Sequence, residues 1–250
     1  MAAGEAGSER AELGCVTALR SLRRNDEAMA KVKAYLEKHP SSAAACIELA
    51  KCLAASGKAE EGRATIDKAL EMDPGDLIAL NFRFWPANPD DIEKVNGALP
   101  ALRAFAESHP SAPGVWRSLG RGLLVVGRNE EAIEMFKKAV DLVPNDDEVR
   151  AEYWGGLGKN AQFEEIAADA AKIENMAKRS WKLRWNEAEA FLGLGKRMEA
   201  RAAFSALNYD DSLHIDIRKR AKRAVKLMDE QGPEANAPPA DTPAPDAPAG

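Results

Sequence analysis

The stretch PGVWRSLGRGLLVVGRNEEAIEMFKKAVDLVPND, residues 113–146, decides the fold. Trp116, Leu119, Gly120 and Leu123 recur at helical spacing, and Gly127 then breaks the run. Asn129, Glu130 and Glu131 open a second run, placing acids where the positive end of a helix dipole lies. Ala132, Phe136 and Ala139 give that run an apolar stripe with small residues for close helix approach, and Pro144 ends it. The pattern predicts two helices joined by a tight turn.

The same punctuation returns along the chain. Pro40, Pro74, Pro110 and Pro144 lie 34, 36 and 34 residues apart. EKHPSSA at 37–43 rhymes with ESHPSA at 107–112, and ALEMDP at 69–74 with AVDLVP at 139–144. On Trp116, Leu119, Gly120, Leu123, Gly127, Ala132, Phe136, Ala139 and Pro144 the chain resembles the tetratricopeptide-repeat (TPR) family, departing at Leu123, where that family often has Tyr. A weaker copy runs through Cys46, Leu49, Ala50, Leu53, Gly57, Gly62, Ile66, Ala69 and Pro74. The first copy keeps Ala28, Val32 and Tyr35, a late one keeps Phe191, Gly195, Ala200, Phe204 and Leu207, and Tyr153, Leu157, Phe163 and Ile166 fit a degenerate copy between. The resemblance implies an all-α, right-handed superhelical array of about five helix hairpins with a C-terminal capping helix.

The expected organisation is an unstructured lead-in at 1–8, repeats at 9–42, 43–76, 77–112 and 113–146, a degenerate repeat at 147–212, and a capping helix at 213–230. Residues 231–250 are almost entirely Pro, Ala, Gly and acids, so a disordered tail is expected there. In the third repeat, Pro86 and Pro89 cannot sit inside a regular helix. The first helix is expected to stop near Phe84 or Trp85, with a loop at 86–89, a new start at Asp90 or Asp91, and a kink or break at Pro100. Either this is repeat decay, or Phe82, Phe84 and Trp85 form an exposed lip for a partner.

The chain carries 35 basic and 40 acidic side chains, a formal net charge of −5, which argues against a dedicated nucleic-acid coat. The charge is uneven, because residues 176–228 hold 13 basic against 6 acidic residues. No uncharged apolar stretch is long enough for a transmembrane helix. An odd number of cysteines (Cys15, Cys46, Cys52) without CxxC spacing points to free, buried thiols and a cytoplasmic setting.

No catalytic constellation is legible. HExxH, GxSxG, GxGxxG and GxxxxGK[ST] do not occur. His39 and His109 precede Pro at equivalent turns, and His214 has no neighbouring Cys or His. Glycines 155, 156 and 158 before Lys159 have the wrong spacing for a phosphate loop and fall at a hairpin. Acidic pairs such as Asp146-Asp147 and Asp210-Asp211 read as caps and turns. The expectation is therefore no enzyme, no metal and no cofactor.

In TPR arrays the first helix of each repeat lines the binding groove, and the resemblance places Thr17, Arg20, Ile47, Lys51, Arg117, Arg121, Leu124 and Val125 there. Arg117 and Arg121 are four apart, so they share a helix face and either clamp a carboxylate or pair with neighbouring acids. The Lys/Asn clamp of chaperone-binding TPR domains is not carried over, since Leu13 and Thr17 occupy the corresponding first-repeat positions. The leading expectation is a protein-interaction adaptor that grips a partner peptide or protein in the groove. A second is nucleic-acid or anionic-surface binding through 176–228, with Trp181 and Trp185 beside basic residues and Arg218, Lys219, Arg220, Lys222, Arg223 and Lys226 as a basic patch. Against it, Trp181 and Trp185 share a face suited to core packing, which disfavours nucleic acid. A third is a regulatory subunit of a larger assembly, with self-association through the charge asymmetry.

Overall fold

The computed structural model describes residues 2–85 and 92–230, with side chains from residue 9 onward. Among them are thirteen α-helices and no strand. The chain divides into two compact units, Met1–Val126 and Gly127–Gly250. The first holds α1 (Ala2–Ser21), α2 (Asn25–Lys38), α3 (Ala43–Ala55), α4 (Ala59–Met72), α5 (Leu77–Phe84), α6 (Ile92–Ser108) and α7 (Pro113–Val125). The second holds α8 (Asn129–Leu142), α9 (Asp147–Lys159), α10 (Phe163–Ala170), α11 (Trp181–Gly193), α12 (Arg197–Asn208) and α13 (Ile215–Glu230).

Two turns recur and explain the period. The first follows the odd-numbered helices. Arg23, Gly57, Gly127, Ala161 and Gly195 adopt left-handed φ of 60°, 77°, 78°, 55° and 69°. In four of these turns the next residue's N–H reaches back to a carbonyl five residues earlier: Arg24 to Leu19, Lys58 to Leu53, Gln162 to Leu157 and Lys196 to Phe191, at 2.8–3.0 Å. This 6→1 bond satisfies an orphan carbonyl and reverses the chain.

The second turn follows the even-numbered helices. Ser42, Asp76, Ala112 and Asp146 donate their N–H to His39, Asp73, His109 and Val143 at 3.0–3.2 Å. The repeating proline sits just after each acceptor, where its fixed φ suits a β-turn. Asp76 and Asp146 then cap the next helix, accepting from Ile78 and Ala79 and from Glu148 and Val149. No proline follows α10. There the chain passes instead through left-handed Asn175 (φ 55°) and a 3₁₀ turn at Met176–Lys178.

Packing follows the apolar stripes. Leu13 and Val16 of α1 meet Ala28, Val32 and Tyr35 of α2 and Ala45 and Cys52 of α3. In the second unit Trp154 and Leu157 of α9 pack with Ile166 and Ala170 of α10 and Leu183 and Ala190 of α11. Trp185, Ala188, Ala200, Phe204 and Leu207 form the last layer, closed by Ala221 and Met228 of α13. The capping role expected of α13 is therefore what its buried side performs.

Several expectations are corrected. The segment 147–212, bounded as one degenerate repeat although two partial copies of the motif fall in it, holds two hairpins, α9/α10 and α11/α12, one for each copy. A ten-residue connection without proline hid the fifth boundary. Helix α1 begins at Ala2 rather than near residue 9, its alanines favouring the helix against the cost of Gly4 and Gly7. Pro100 lies inside α6 and does not divide it. Helix α5 stops at Phe84, as the two prolines require, while the loop at 86–89, the start at Asp90 or Asp91 and the tail lie outside the described residues. Cys46 and Cys52 are buried, but Cys15 is exposed.

Candidate partner-binding face

Within each unit, successive odd-numbered helices carry equivalent positions one repeat apart, 34 residues or, between the third and fourth repeats, 36. Counted from residues 9, 43, 77, 113, 147, 181 and 215, the fifth and ninth positions hold Leu13 and Thr17, Ile47 and Lys51, Asn81 and Trp85, Arg117 and Arg121, Ala151 and Gly155, Trp185 and Glu189, and Lys219 and Arg223. Helix α13 thus begins in register, as a first helix with no second helix after it among the described residues.

Polar ties join these helices at nearly one repeat's separation. Within the first unit Ser42 Oγ donates to Glu9 (2.5 Å), Thr17 Oγ1 to Glu48 (3.2 Å) and Trp85 Nε1 to Ser118 Oγ (3.1 Å). Within the second, Ser180 N–H donates to Asp147 (2.6 Å), Lys182 Nζ to Glu148 (2.6 Å) and Asn186 Nδ2 to the Ala151 carbonyl (2.9 Å). Glu48, Ser118 and Asn186 all occupy the sixth position of their helix, so one repeat position performs one structural task with three chemistries.

Those ties settle where the expected groove residues go. Ile47 is 3% exposed and belongs to the core, not to a contact surface. Glu48, with its side chain 12% exposed, accepts from Thr17 and gathers Lys51 (2.7 Å) and Arg20 (3.7 Å). Lys51 is therefore committed to an internal pair. Arg117 and Leu124 are half-buried, while Arg121 and Val125 are exposed. Arg117 and Arg121 each have an interaction partner in the structure.

The expected lip is an internal wedge. The Trp85 ring lies against Gly122 of α7, where a Cβ would come within 2.0 Å of it. Phe84 packs on Phe105 of α6 at 5.5 Å between ring centres. Phe82, Phe84 and Trp85 are each half-buried. Physically, Trp85 caps α5 and fills the space that Gly122 in α7 leaves open. His39 and His109 prove to be turn residues that stack on Tyr35 (4.5 Å) and Phe105 (4.2 Å).

The basic C-terminal region is only partly free. Trp185 is 2% exposed, with Arg220 over its ring at 5.2 Å, and Trp181 is half-buried with Lys182 over it. Arg184 is buried and bonds Asp210 at 2.6 Å, and that contact with the Ser212 hydroxyl holds the Asp210 carboxyl down at about 2. Arg218 pairs with Asp211 and donates to the Asn208 carbonyl, and Lys226 pairs with Glu230. Lys219, Lys222 and Arg223 are exposed. Burial raises the Glu189 carboxyl despite its hydrogen bond from Trp185 Nε1 and the nearby Arg220. Sequence reasoning missed Glu48 and Glu189. Comparing residues one repeat apart for complementary polar groups, such as Thr17 with Glu48, is the signal that finds the first.

Among the described residues no cluster of three His, Cys, Asp or Glu side chains could hold a metal, and no helix is long and apolar enough to cross a membrane. Paired helices with two recurring turns, packed through small residues and tied at one-repeat spacing, define a helical-hairpin repeat protein. Two family profiles, both described as tetratricopeptide repeat, match residues 19–81 and 91–147. The chain belongs to the tetratricopeptide-repeat family.

Over 153 residues, 58% of this chain, it is 26% identical to the aspartyl/asparaginyl beta-hydroxylase of Homo sapiens and 23% identical to that of Mus musculus. It spans about a fifth of the length of these curated relatives, 20% and 21%. Similar solved structures include a thermophilic TPR protein of Thermus thermophilus, 19% identical with a TM-score of 0.49, the match covering 74% of this chain and 100% of that one. PilF of Pseudomonas aeruginosa is 18% identical with a TM-score of 0.46, covering 88% and 99%. YrrB, described as a TPR protein with an unusual peptide-binding site, is 19% identical with a TM-score of 0.46, covering 77% and 97%.

Proposed function

We propose that this chain is a non-enzymatic adaptor that binds a partner peptide or protein on the face formed by the first helices of the repeats in its first unit. The observation carrying this reading is the repeat register itself, which puts Arg117 and Arg121 on the α7 face, one turn before exposed Val125. Ile47 drops out of the contact set because it is core, and Lys51 contributes only through its pair with Glu48. A guanidinium pair at four-residue spacing beside aliphatic side chains suits a segment carrying a carboxylate next to an apolar residue. The hydroxylase similarity covers a repeat-bearing fraction of that protein and gives this chain no chemistry. Binding of nucleic acid loses its support, since Trp185 is core and Trp181 is half-buried.

The test places a photo-crosslinking amino acid at Val125 in the native cell and identifies the captured protein by mass spectrometry. The purified partner is then titrated against the chain and against Arg117→Glu with Arg121→Glu. Affinity for the captured partner should fall at least ~10-fold, equivalent to ~1.4 kcal/mol. Unchanged affinity in that double variant sinks the assignment of the face.

A further inference from the structure

The outer side of α13 carries a row of residues that no structural role absorbs. Ile215, Lys219, Arg223 and Leu227 follow one another at four-residue steps, so they form one ridge about 18 Å long on the helix. Ile215 is 49% exposed and Leu227 is 44% exposed, while Lys219 and Arg223 lie exposed between them. Lys222, one position from Arg223, widens the cationic centre. The buried side of the helix, Ala221 and Met228, is fully used in capping the last hairpin.

The neighbouring acids are engaged elsewhere. Asp229 bonds Arg201, Asp211 bonds Arg218, Glu230 bonds Lys226, Asp216 faces His214, and Glu189 accepts from Trp185. In the six preceding first helices the position equivalent to Lys222 holds Val16, Ala50, Phe84, Gly120, Trp154 and Ala188. A lysine there makes this helix face a charged surface where its predecessors carry apolar residues.

We propose that this ridge docks an acidic segment of a protein partner, its carboxylates on Lys219, Lys222 and Arg223 and its flanking apolar residues on Ile215 and Leu227. The inference rests on the adaptor reading for the class of partner, but not for the surface, which is in the other unit. Three arguments favour an acidic peptide over nucleic acid. The cationic centre spans one helical turn, the indole that Arg220 covers, Trp185, is packed, and apolar side chains bracket the charge at both ends.

The experiment uses the full chain and a fluorescein-labelled peptide of repeated Leu-Glu-Glu-Leu, with fluorescence anisotropy as readout. A Gln-for-Glu peptide, a labelled oligo-dT and phosphatidylserine vesicles are run beside it. The acidic peptide should bind, weaken with added salt, and lose at least ~10-fold in affinity with Lys219→Glu, Lys222→Glu and Arg223→Glu combined. Charge-conserving Lys219→Arg with Arg223→Lys should retain binding, and Leu227→Ala should weaken it several-fold. Lys31→Glu with Lys33→Glu on α2 makes a comparable charge change elsewhere and should leave binding unaltered, with circular dichroism confirming folding in every variant. No binding of the acidic peptide, equal binding by the triple variant, or tighter binding of oligo-dT or vesicles through the same residues overturns the proposal. Failure of the Arg117 and Arg121 test bears only on the first face, and failure here only on α13.

Discussion

The indole of Trp85 rests on the backbone of Gly122, with Cη2 only 2.0 Å from where a Cβ would stand. The same ring donates through Nε1 to Ser118 Oγ, one turn earlier on α7, and Ser118 is fully buried. A helix-ending residue therefore locks α5 to α7 by combining a close approach with a hydrogen bond.

Gly122→Ala tests that lock. In an undisturbed helix interior this change stabilises by about 1 kcal/mol through backbone entropy. Here the methyl group collides with Trp85, so a net loss of about 1–3 kcal/mol is expected in urea denaturation. Adding Trp85→Ala should remove the collision, and the coupling in the double-mutant cycle should be favourable by a similar amount. An additive cycle would show that the ring does not need the glycine.

Much of this was legible in the sequence, and the limit is instructive. The prolines and Gly127 marked the turns because proline fixes φ and glycine tolerates the left-handed region, so composition alone reports them. Arg23 and Ala161 occupy the same left-handed position without glycine, and Asn175 replaces a proline turn, so the two partial copies inside 147–212 carried no legible boundary between them. Ile47, expected in the groove, and Trp85, expected in the lip, both turned inward. Helical spacing identifies a face but not which neighbour covers it, and for Trp85 that neighbour is α7, a full repeat further along the chain.

Those two left-handed residues yield a stabilisation experiment. Arg23 and Ala161 sit at φ 60° and 55°, where a Cβ crowds the following carbonyl at a cost of roughly 1–2 kcal/mol. Arg23→Gly and Ala161→Gly should each raise stability by about 0.5–1 kcal/mol, after the greater unfolded-state entropy of glycine is subtracted. Conversely, Gly127→Ala (φ 78°) should lower it by about 1 kcal/mol. Thermal unfolding followed by circular dichroism in the α-helix band measures all three.

Asp210 makes stability depend on acid. Its carboxyl is lowered from 3.8 to about 2, first by the hydrogen bond from Arg184 and then by that from Ser212. A lowered folded pKa means the contribution is complete above the unfolded value and is lost as pH falls towards the folded one. Asp210→Asn should therefore cost about 2 kcal/mol near neutral pH, because it leaves the buried Arg184 guanidinium without its counter-charge. The difference between the two proteins should shrink between about pH 4 and pH 2. A difference that persists unchanged at pH 2 would separate Asp210 from that ion pair.

Glu189 runs in the opposite direction. Burial raises its carboxyl, and the Trp185 hydrogen bond and Arg220 offset this only in part. A raised folded pKa in a carboxylic acid means that ionisation disfavours the native state. Its contribution is fully present below the unfolded pKa and is lost as pH rises through the folded one. Glu189→Gln keeps an acceptor for Trp185 Nε1, 2.7 Å away in the native protein, while removing the charge. The variant should be at least as stable as the native protein at neutral pH, and it should lack the gain in stability expected of the native chain as pH is lowered from neutral towards the ordinary carboxylate range. Urea denaturation at neutral pH and in that range measures that gain. If Glu189→Gln is markedly less stable at neutral pH, the attraction of the nearby Arg220 outweighs the cost of burying the carboxylate, and α13 is held to α11 by charge as well as by Ala221 and Met228.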